Sequence, residues 1–238
     1  MIAKMKSLYI LMALAGAPFL FTSCHTEDPG PLRDAEKSYY LEDFDRLEIG
    51  DAFDIRVREG TFFAISARGD ERNIDDLIVR KEGSTLVIRY DDHDKRKHQT
   101  YLEITMPSLL EANFSGASNS TISGFTEGES FRVTLSGASV SQIDMDVAVV
   151  NTNLSGASSL TLTGSGEAIT AVVSGASALK AFNFPVDDAD LNLSGASSVK
   201  VSVATNLKVV ATGGSDVLYR GTPSVDSDTS GGSSVHQD

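Results

Sequence analysis

The stretch Val150-Asn-Thr-Asn-Leu-Ser-Gly-Ala-Ser-Ser-Leu-Thr-Leu162 places apolar residues on both sides of a Ser-Gly-Ala-Ser corner. Period-two alternation turns Leu154 inward and Ser155 outward, then returns Leu160 and Leu162 inward with Thr161 between them. Gly156 supplies a backbone angle or a close approach that a β-carbon would block. Ala157 is small enough for a tight corner. The same order recurs in Leu135-Ser-Gly-Ala-Ser-Val140, Val173-Ser-Gly-Ala-Ser-Ala-Leu179 and Leu193-Ser-Gly-Ala-Ser-Ser-Val199. The corner itself occurs five times, at Ser115–Ser118, Ser136–Ser139, Ser155–Ser158, Ser174–Ser177 and Ser194–Ser197, at intervals of 21, 19, 19 and 20 residues. Two looser copies, Thr212-Gly-Gly-Ser215 and Ser230-Gly-Gly-Ser233, each follow after 18 residues.

A fixed period near 20 means one structural unit stacked on itself. A single unit cannot bury its apolar face, so its neighbours must supply the cover. Propeller blades need roughly 40 residues, about twice this period. Sandwich strands do not repeat a motif so faithfully. The spacing therefore predicts an all-β, single-stranded parallel β-helix with coils of 18–21 residues. Stacked at about 4.8 Å, seven corners span about 29 Å. Ser115, Gly116, Ser136, Gly137, Ser155, Gly156, Ser174, Gly175, Ser194 and Gly195 are expected to form a structural corner ladder, the hydroxyls satisfying backbone groups at each turn.

Ahead of the repeats, short alternating runs predict strands at Leu47–Ile49, Phe53–Val57, Phe62–Ile65, Leu86–Tyr90 and Tyr101–Thr105. Glu59-Gly60, Gly69-Asp70 and Glu82-Gly83 read as turns, and residues 71–77 as a short helical turn. Residues 91–99 read as a charged loop.

The first residues read as an address. Lys4 and Lys6 precede an apolar run from Leu8 to Phe21, too short for the ~20 residues that span a bilayer but suited to a signal peptide. Phe21-Thr-Ser-Cys24 looks like a bacterial lipobox, with phenylalanine where leucine is usual. Residues 1–23 are thus expected to be a lipoprotein signal peptide and Cys24 the lipidated residue. Residues 24–39 are expected to be a flexible tether, and 40–238 the β-helix domain. Glu27-Asp28 resembles the acidic export signal of surface lipoproteins in the Bacteroidetes.

The chain resembles the bacterial family called "putative auto-transporter adhesin, head GIN domain" over about residues 44–235. The resemblance is carried by Gly50-Asp-Ala-Phe-Asp-Ile-Arg-Val-Arg-Glu-Gly60, Gly83-Ser-Thr-Leu-Val-Ile88, Met106-Pro-Ser-Leu-Leu110, the corner series, and Val225-Asp-Ser-Asp-Thr-Ser-Gly-Gly-Ser233. It implies a right-handed parallel β-helix, often on a Bacteroidetes lipoprotein, and no established activity.

Chemistry is thin. A formal charge of −13 opposes nucleic acid phosphates. Asp144 and Asp146, with Asp187 and Asp188, are expected in loops at the far side of the coils, two coils apart. As loop carboxylates they are candidates for binding a ligand, or for hydrolysis of a polysaccharide. Asp190 lies beside them. Asp216, Asp226 and Asp228 form an acidic group without a calcium-loop pattern. His93 and His98 flank Lys95-Arg-Lys97, an awkward place for a metal cation. No metal or cofactor is expected. No serine has a nearby histidine to activate it. The chain has no tryptophan and few aromatics in its repeats, where Phe114, Phe125, Phe131, Phe182 and Phe184 read as core or coil-end caps.

The resulting expectation is a lipid-anchored cell-envelope binding or adhesion module without catalytic activity. It would be held to the membrane through Cys24 on the outer membrane, surface-exposed or otherwise facing the periplasm. A glycan, or an envelope or host protein, would be its partner. Two other classes stand beside it: a polysaccharide-active hydrolase or lyase using the loop aspartates, and a passive envelope scaffold. An open coil end would permit end-to-end pairing of two copies.

Overall fold

Short strands precede the repeats in the structure, a computed structural model that describes residues 30–92 and 96–238. They are β1 (Asp34–Tyr39), β2 (Arg46–Ile49), β3 (Phe53–Glu59), β4 (Ala64–Asp70), β5 (Leu77–Glu82), β6 (Thr85–Tyr90), β7 (Thr100–Met106) and β8 (Glu111–Phe114), with the helical turn α1 (Glu71–Asp75) between β4 and β5. The repeats contribute β9 (Asn119–Leu135), β10 (Val140–Leu154), β11 (Ser159–Ser165), β12 (Ala168–Val173), β13 (Ala178–Leu193), β14 (Ser198–Ala211), β15 (Asp216–Arg220), β16 (Ser224–Thr229) and β17 (Ser234–Gln237).

Each coil has two strand arms, a bend between them, and a Ser-Gly-Ala-Ser corner. In β10 the arms run on as one strand: Val140–Asp146 pairs in parallel with β11, and Val149–Leu154 with β12. Two parallel stacks result. The first runs β7-β3-β9-β10-β11-β13-β14-β15-β17. The second runs β6-β2-β8-β9-β10-β12-β13-β14-β16. Alternation fills the space between the arms with aliphatic rungs: Leu160 and Leu162 come from one arm, Ile169, Ala171 and Val173 from the other, all buried. Hydrogen bonds along the stack leave the coil only two directions for side chains, so the period-two pattern decides what is core. The chain is a parallel β-solenoid, as the period requires. Phe114, Phe125, Phe131 and Phe184 lie in its core, while Phe182 is half-buried beneath Arg220.

The N-terminal part departs from a pure parallel stack. Strand β4 pairs antiparallel with β7, β1 antiparallel with β4, and β5 antiparallel with β6. Both stacks are therefore extended by antiparallel strands, and Ile74 of α1 and Phe44 are buried there. These elements cover apolar rungs that a first coil would leave open. The segment expected as a tether is shorter than 24–39, because its last six residues are strand β1, held to β4 and packed on the core through Ala35 and Tyr39. Gly69-Asp70 is the end of β4 and not a free turn, since Asp70 N-caps α1 with its carboxylate. The stretch expected as a signal peptide, Cys24 and the start of the expected tether lie outside the described residues.

Candidate functional site

The corner ladder is built from backbone first. Asp51 and Gly116, Gly137, Gly156, Gly175, Gly195, Gly213 and Gly231 all have positive φ, between 62° and 82°. Each corner glycine carbonyl accepts a hydrogen bond from the third residue of the next corner, as Gly137 does from Ala157 (2.8 Å) and Gly156 from Ala176 (2.8 Å). At Gly156 a β-carbon would lie 2.5 Å from the Gly137 carbonyl oxygen, so both the dihedral and the stacking demand glycine. Ser115 is exposed, and Ser136, Ser155, Ser174 and Ser194 are half-buried. The fourth position, which the alternation pattern does not single out, carries the internal ladder. Ser118, Ser139, Ser158, Ser177, Ser197 and Ser215 are all buried. The Ser118 and Ser139 hydroxyls lie 3.1 Å apart, and those of Ser158 and Ser177 3.3 Å. Ser139 and Ser158 also donate back to the carbonyls of Ser136 (2.8 Å) and Ser155 (3.0 Å), and Ser197 does the same to Ser194. A signal was present within the chain: the fourth residue is serine in every copy, whereas the first becomes Thr212 and the third Gly214 and Gly232.

The aspartates are not in loops. Asp144 and Asp146 lie in β10, Asp187 and Asp188 in β13, all outward-facing and exposed. Strands β10 and β13 run on through the bends, where the register shifts around Met145 in one and Val186 in the other. Asp144 accepts from Thr163 (2.8 Å), Asp146 from Ser165 (2.7 Å) and Asp188 from Asn206 (2.7 Å), each a polar residue of the following coil. Asp144 and Asp146 stand on the first stack, whereas Asp188 starts an arm of the second. Asp216 is met by Ser234 and by His236 at 3.5 Å, and Asp226 and Asp228 lie on β16. His98 contacts the Gly30 carbonyl at 3.2 Å, and His93 lies outside the described residues. Among the described residues no group of three or more His, Cys, Asp and Glu could hold a metal ion.

A surface hollow forms instead on the outer face of β1, β4, β7 and β3. Register aligns Glu36, Arg68, Tyr101 and Asp54 in one row across these strands, and Ser38, Ser66, Glu103 and Arg56 in the next. Four strands at about 4.8 Å spacing make this patch about 14 Å wide. The hollow has a volume of about 380 Å³. A second hollow of about 280 Å³ shares Ser66 and Glu103 with it and is lined by Tyr40 and Phe63. Arg68 is anchored by Asp34 through two hydrogen bonds of 3.3 and 3.2 Å. That contact, with Glu36 and Tyr101 near, raises the Arg68 pKa and keeps the guanidinium charged. Arg56 and Glu103 form a loose pair at 3.9 Å. Tyr101 is 47 % exposed and Tyr40 95 %. Outward aromatics thus stand in the N-terminal part, Tyr101 on β7 and Tyr40 just after β1. Alternation in Thr100-Tyr-Leu-Glu-Ile-Thr-Met106 puts Tyr101 outward; only the antiparallel pairing sets Arg68 beside it.

The family model "Putative auto-transporter adhesin, head GIN domain" matches residues 43–223, and the chain belongs to this family. Among solved structures it is similar to a putative adhesin from Bacteroides fragilis, with a TM-score of 0.78 and 16 % identity over 87 % of this chain and 97 % of that one. A putative adhesin from Parabacteroides distasonis superimposes with a TM-score of 0.71 and 15 % identity over 88 % and 98 % of the two chains. A further protein from the same species, described as a putative lipid binding protein, gives 0.69 and 16 % over 86 % and 96 %. At these identities the likeness shows the fold. No curated protein matches the sequence. Among the described residues no helix is long and apolar enough to cross a membrane.

Proposed function

We propose that the chain is a lipid-anchored binding or adhesion module of the cell envelope, without catalytic activity, displayed outward from the outer membrane. Membership of a family described as an adhesin head carries this reading. The lipobox ending at Cys24 supplies the anchor: cleavage before Cys24 and acylation of its thiol would hold the chain at a membrane, each buried methylene contributing about 0.8 kcal/mol. Cys24 lies six positions before Gly30, a reach of at most ~21 Å, so the solenoid would stand close to the lipid surface with its N-terminal strands nearest. A rigid stack of coils then presents its outer faces without having to order them on binding.

The test is protease shaving of intact cells. Wild-type protein is expected to be cleaved on intact cells, and Cys24→Ala to leave the membrane fraction. Cleavage only after lysis would place the domain in the periplasm and remove the outward adhesion role. Retention of Cys24→Ala in washed membranes would remove the lipid anchor.

A further inference from the structure

We propose that the hollow over β1, β4, β7 and β3 binds a neutral oligosaccharide, with the Tyr101 ring as its platform. The inference rests on the reading of the chain as an envelope binding module and names the ligand class.

Tyr101 projects from a central position in the sheet, flanked by Arg68 on one side and Asp54 on the other. Paired backbone on both sides fixes where the ring stands before any ligand arrives. A pyranose has an apolar face of C–H bonds and a rim of hydroxyls. A phenol ring suits the face, and polar neighbours suit the rim. The charged neighbours here are of two kinds: Glu36, Asp54 and Glu103 only accept hydrogen bonds when ionised, and Arg56 and Arg68 only donate. A hydroxyl does both. Adjacent sugar hydroxyls can therefore satisfy a carboxylate and a guanidinium together, which an anion or a cation cannot.

Charge narrows the class further. Three carboxylates in the hollow, within a chain of net charge −13, oppose a phosphate, a sulfate or a uronic acid. Two guanidiniums oppose a cation. An acyl chain would strand all five charged groups away from water. All four side chains are more than half exposed, but Arg68 is hydrogen-bonded to Asp34 at 3.2–3.3 Å, whereas Arg56 and Glu103 pair only at 3.9 Å and are free to open onto a ligand. The 380 Å³ volume falls within the range of ~300–1,000 Å³ found for small-ligand sites. The adjoining 280 Å³ hollow, with Tyr40 at its edge, continues the track for a longer chain.

The test titrates the full chain in detergent with cellohexaose, chitohexaose and mannohexaose, with hexagalacturonate as the anionic counterpart. At least one neutral hexasaccharide is expected to bind. Tyr101→Ala is expected to weaken it about tenfold or more, while Tyr101→Phe keeps the ring and most of the affinity. Lys200→Ala, on a distant coil, is expected to change nothing. Circular dichroism and melting temperature establish that each variant folds. Three outcomes overturn the inference: no neutral hexasaccharide binds, Tyr101→Ala binds as wild type does, or hexagalacturonate binds in their place. Adhesion to cells is measured in parallel, before and after periodate oxidation of surface sugars. Adhesion that survives both periodate and Tyr101→Ala overturns the glycan ligand and leaves the adhesion reading standing. Absence of any adhesion together with no oligosaccharide binding overturns both.

Discussion

At Gly156 two demands coincide. Its φ is 77°, and a β-carbon there would lie 2.5 Å from the Gly137 carbonyl oxygen. Gly83, in the turn between β5 and β6, has a φ of 61°, but a β-carbon there would meet no atom within 4 Å. Comparing the two separates dihedral strain from stacking. Gly83→Ala is expected to cost about 1 kcal/mol, the left-handed penalty alone. Gly156→Ala is expected to cost about 3 kcal/mol, because the corner must also shift away from the coil beneath it. Urea unfolding of both variants measures the difference; equal costs would mean that the corner yields without resistance. Asp51 shows the same logic from the other side. It is a non-glycine residue at the first corner, with φ 62°, and its carboxylate accepts the Tyr90 backbone N–H at 2.8 Å. Aspartate tolerates this conformation better than most residues.

Among the elements, α1 and the strands around it are held by one buried charge. Asp70 accepts from the Arg72 side chain at 2.6 and 2.7 Å, from the Arg72 backbone at 3.1 Å and from the Arg33 backbone at 3.2 Å. The hydrogen bonds from Arg72 hold its carboxyl well below the usual carboxylate range, against the opposing effect of burial. A depressed folded pKa contributes stability that is fully present above the unfolded value of about 3.9 and is lost as pH falls toward the folded one. Asp70→Asn is therefore expected to lower the urea midpoint at pH 7, with the gap from wild type narrowing below about pH 4. A gap that stays constant from pH 7 to pH 3 would show that the charge of Asp70 is not what ties β1 and α1 to β4. Beside it, Asn73 donates to the His98 carbonyl at 2.9 Å, and the Tyr90 hydroxyl meets Thr100 at 2.7 Å. The cap is thus a polar network, where the coils are joined by aliphatic rungs and serines.

For the molecule as a whole, stability is a sum of coils and the interfaces between neighbours. Coils with a partner on each side bury their inward residues almost completely, whereas β16 is exposed along its whole length and Val225 is 39 % exposed. Serine and threonine, at Ser227 and Thr229, stand opposite Val209 and Ala211 of the coil before. Amide hydrogen exchange is expected to be slowest in β9 to β13 and fastest in β16 and β17. Uniform protection along the stack would mean that the solenoid opens only as one unit. The polar character of that last coil does not favour an apolar end-to-end dimer. The N-terminal end, closed by antiparallel strands, is also where the outward aromatics and the hollow lie.

The solenoid was legible because its cause is local and repeated. Gly156 and its equivalents need a left-handed corner, and Leu154, Leu160 and Leu162 need an inside, so a period near 20 with alternating rungs admits one solution. Other features depended on which strands become neighbours. Asp34–Tyr39 carries too few apolar residues to declare itself a strand; it becomes one because β4 offers an unpaired edge. Asp144 and Asp188 looked like loop residues because they fall at the far side of the coil from the corner, yet β10 and β13 continue through the bend there. Arg68 and Tyr101 are 33 positions apart in the chain. Their meeting is set by antiparallel register between β4 and β7, a pairing that no local pattern encodes. Stacking chose the fold, and the cap that closes the stack made the hollow.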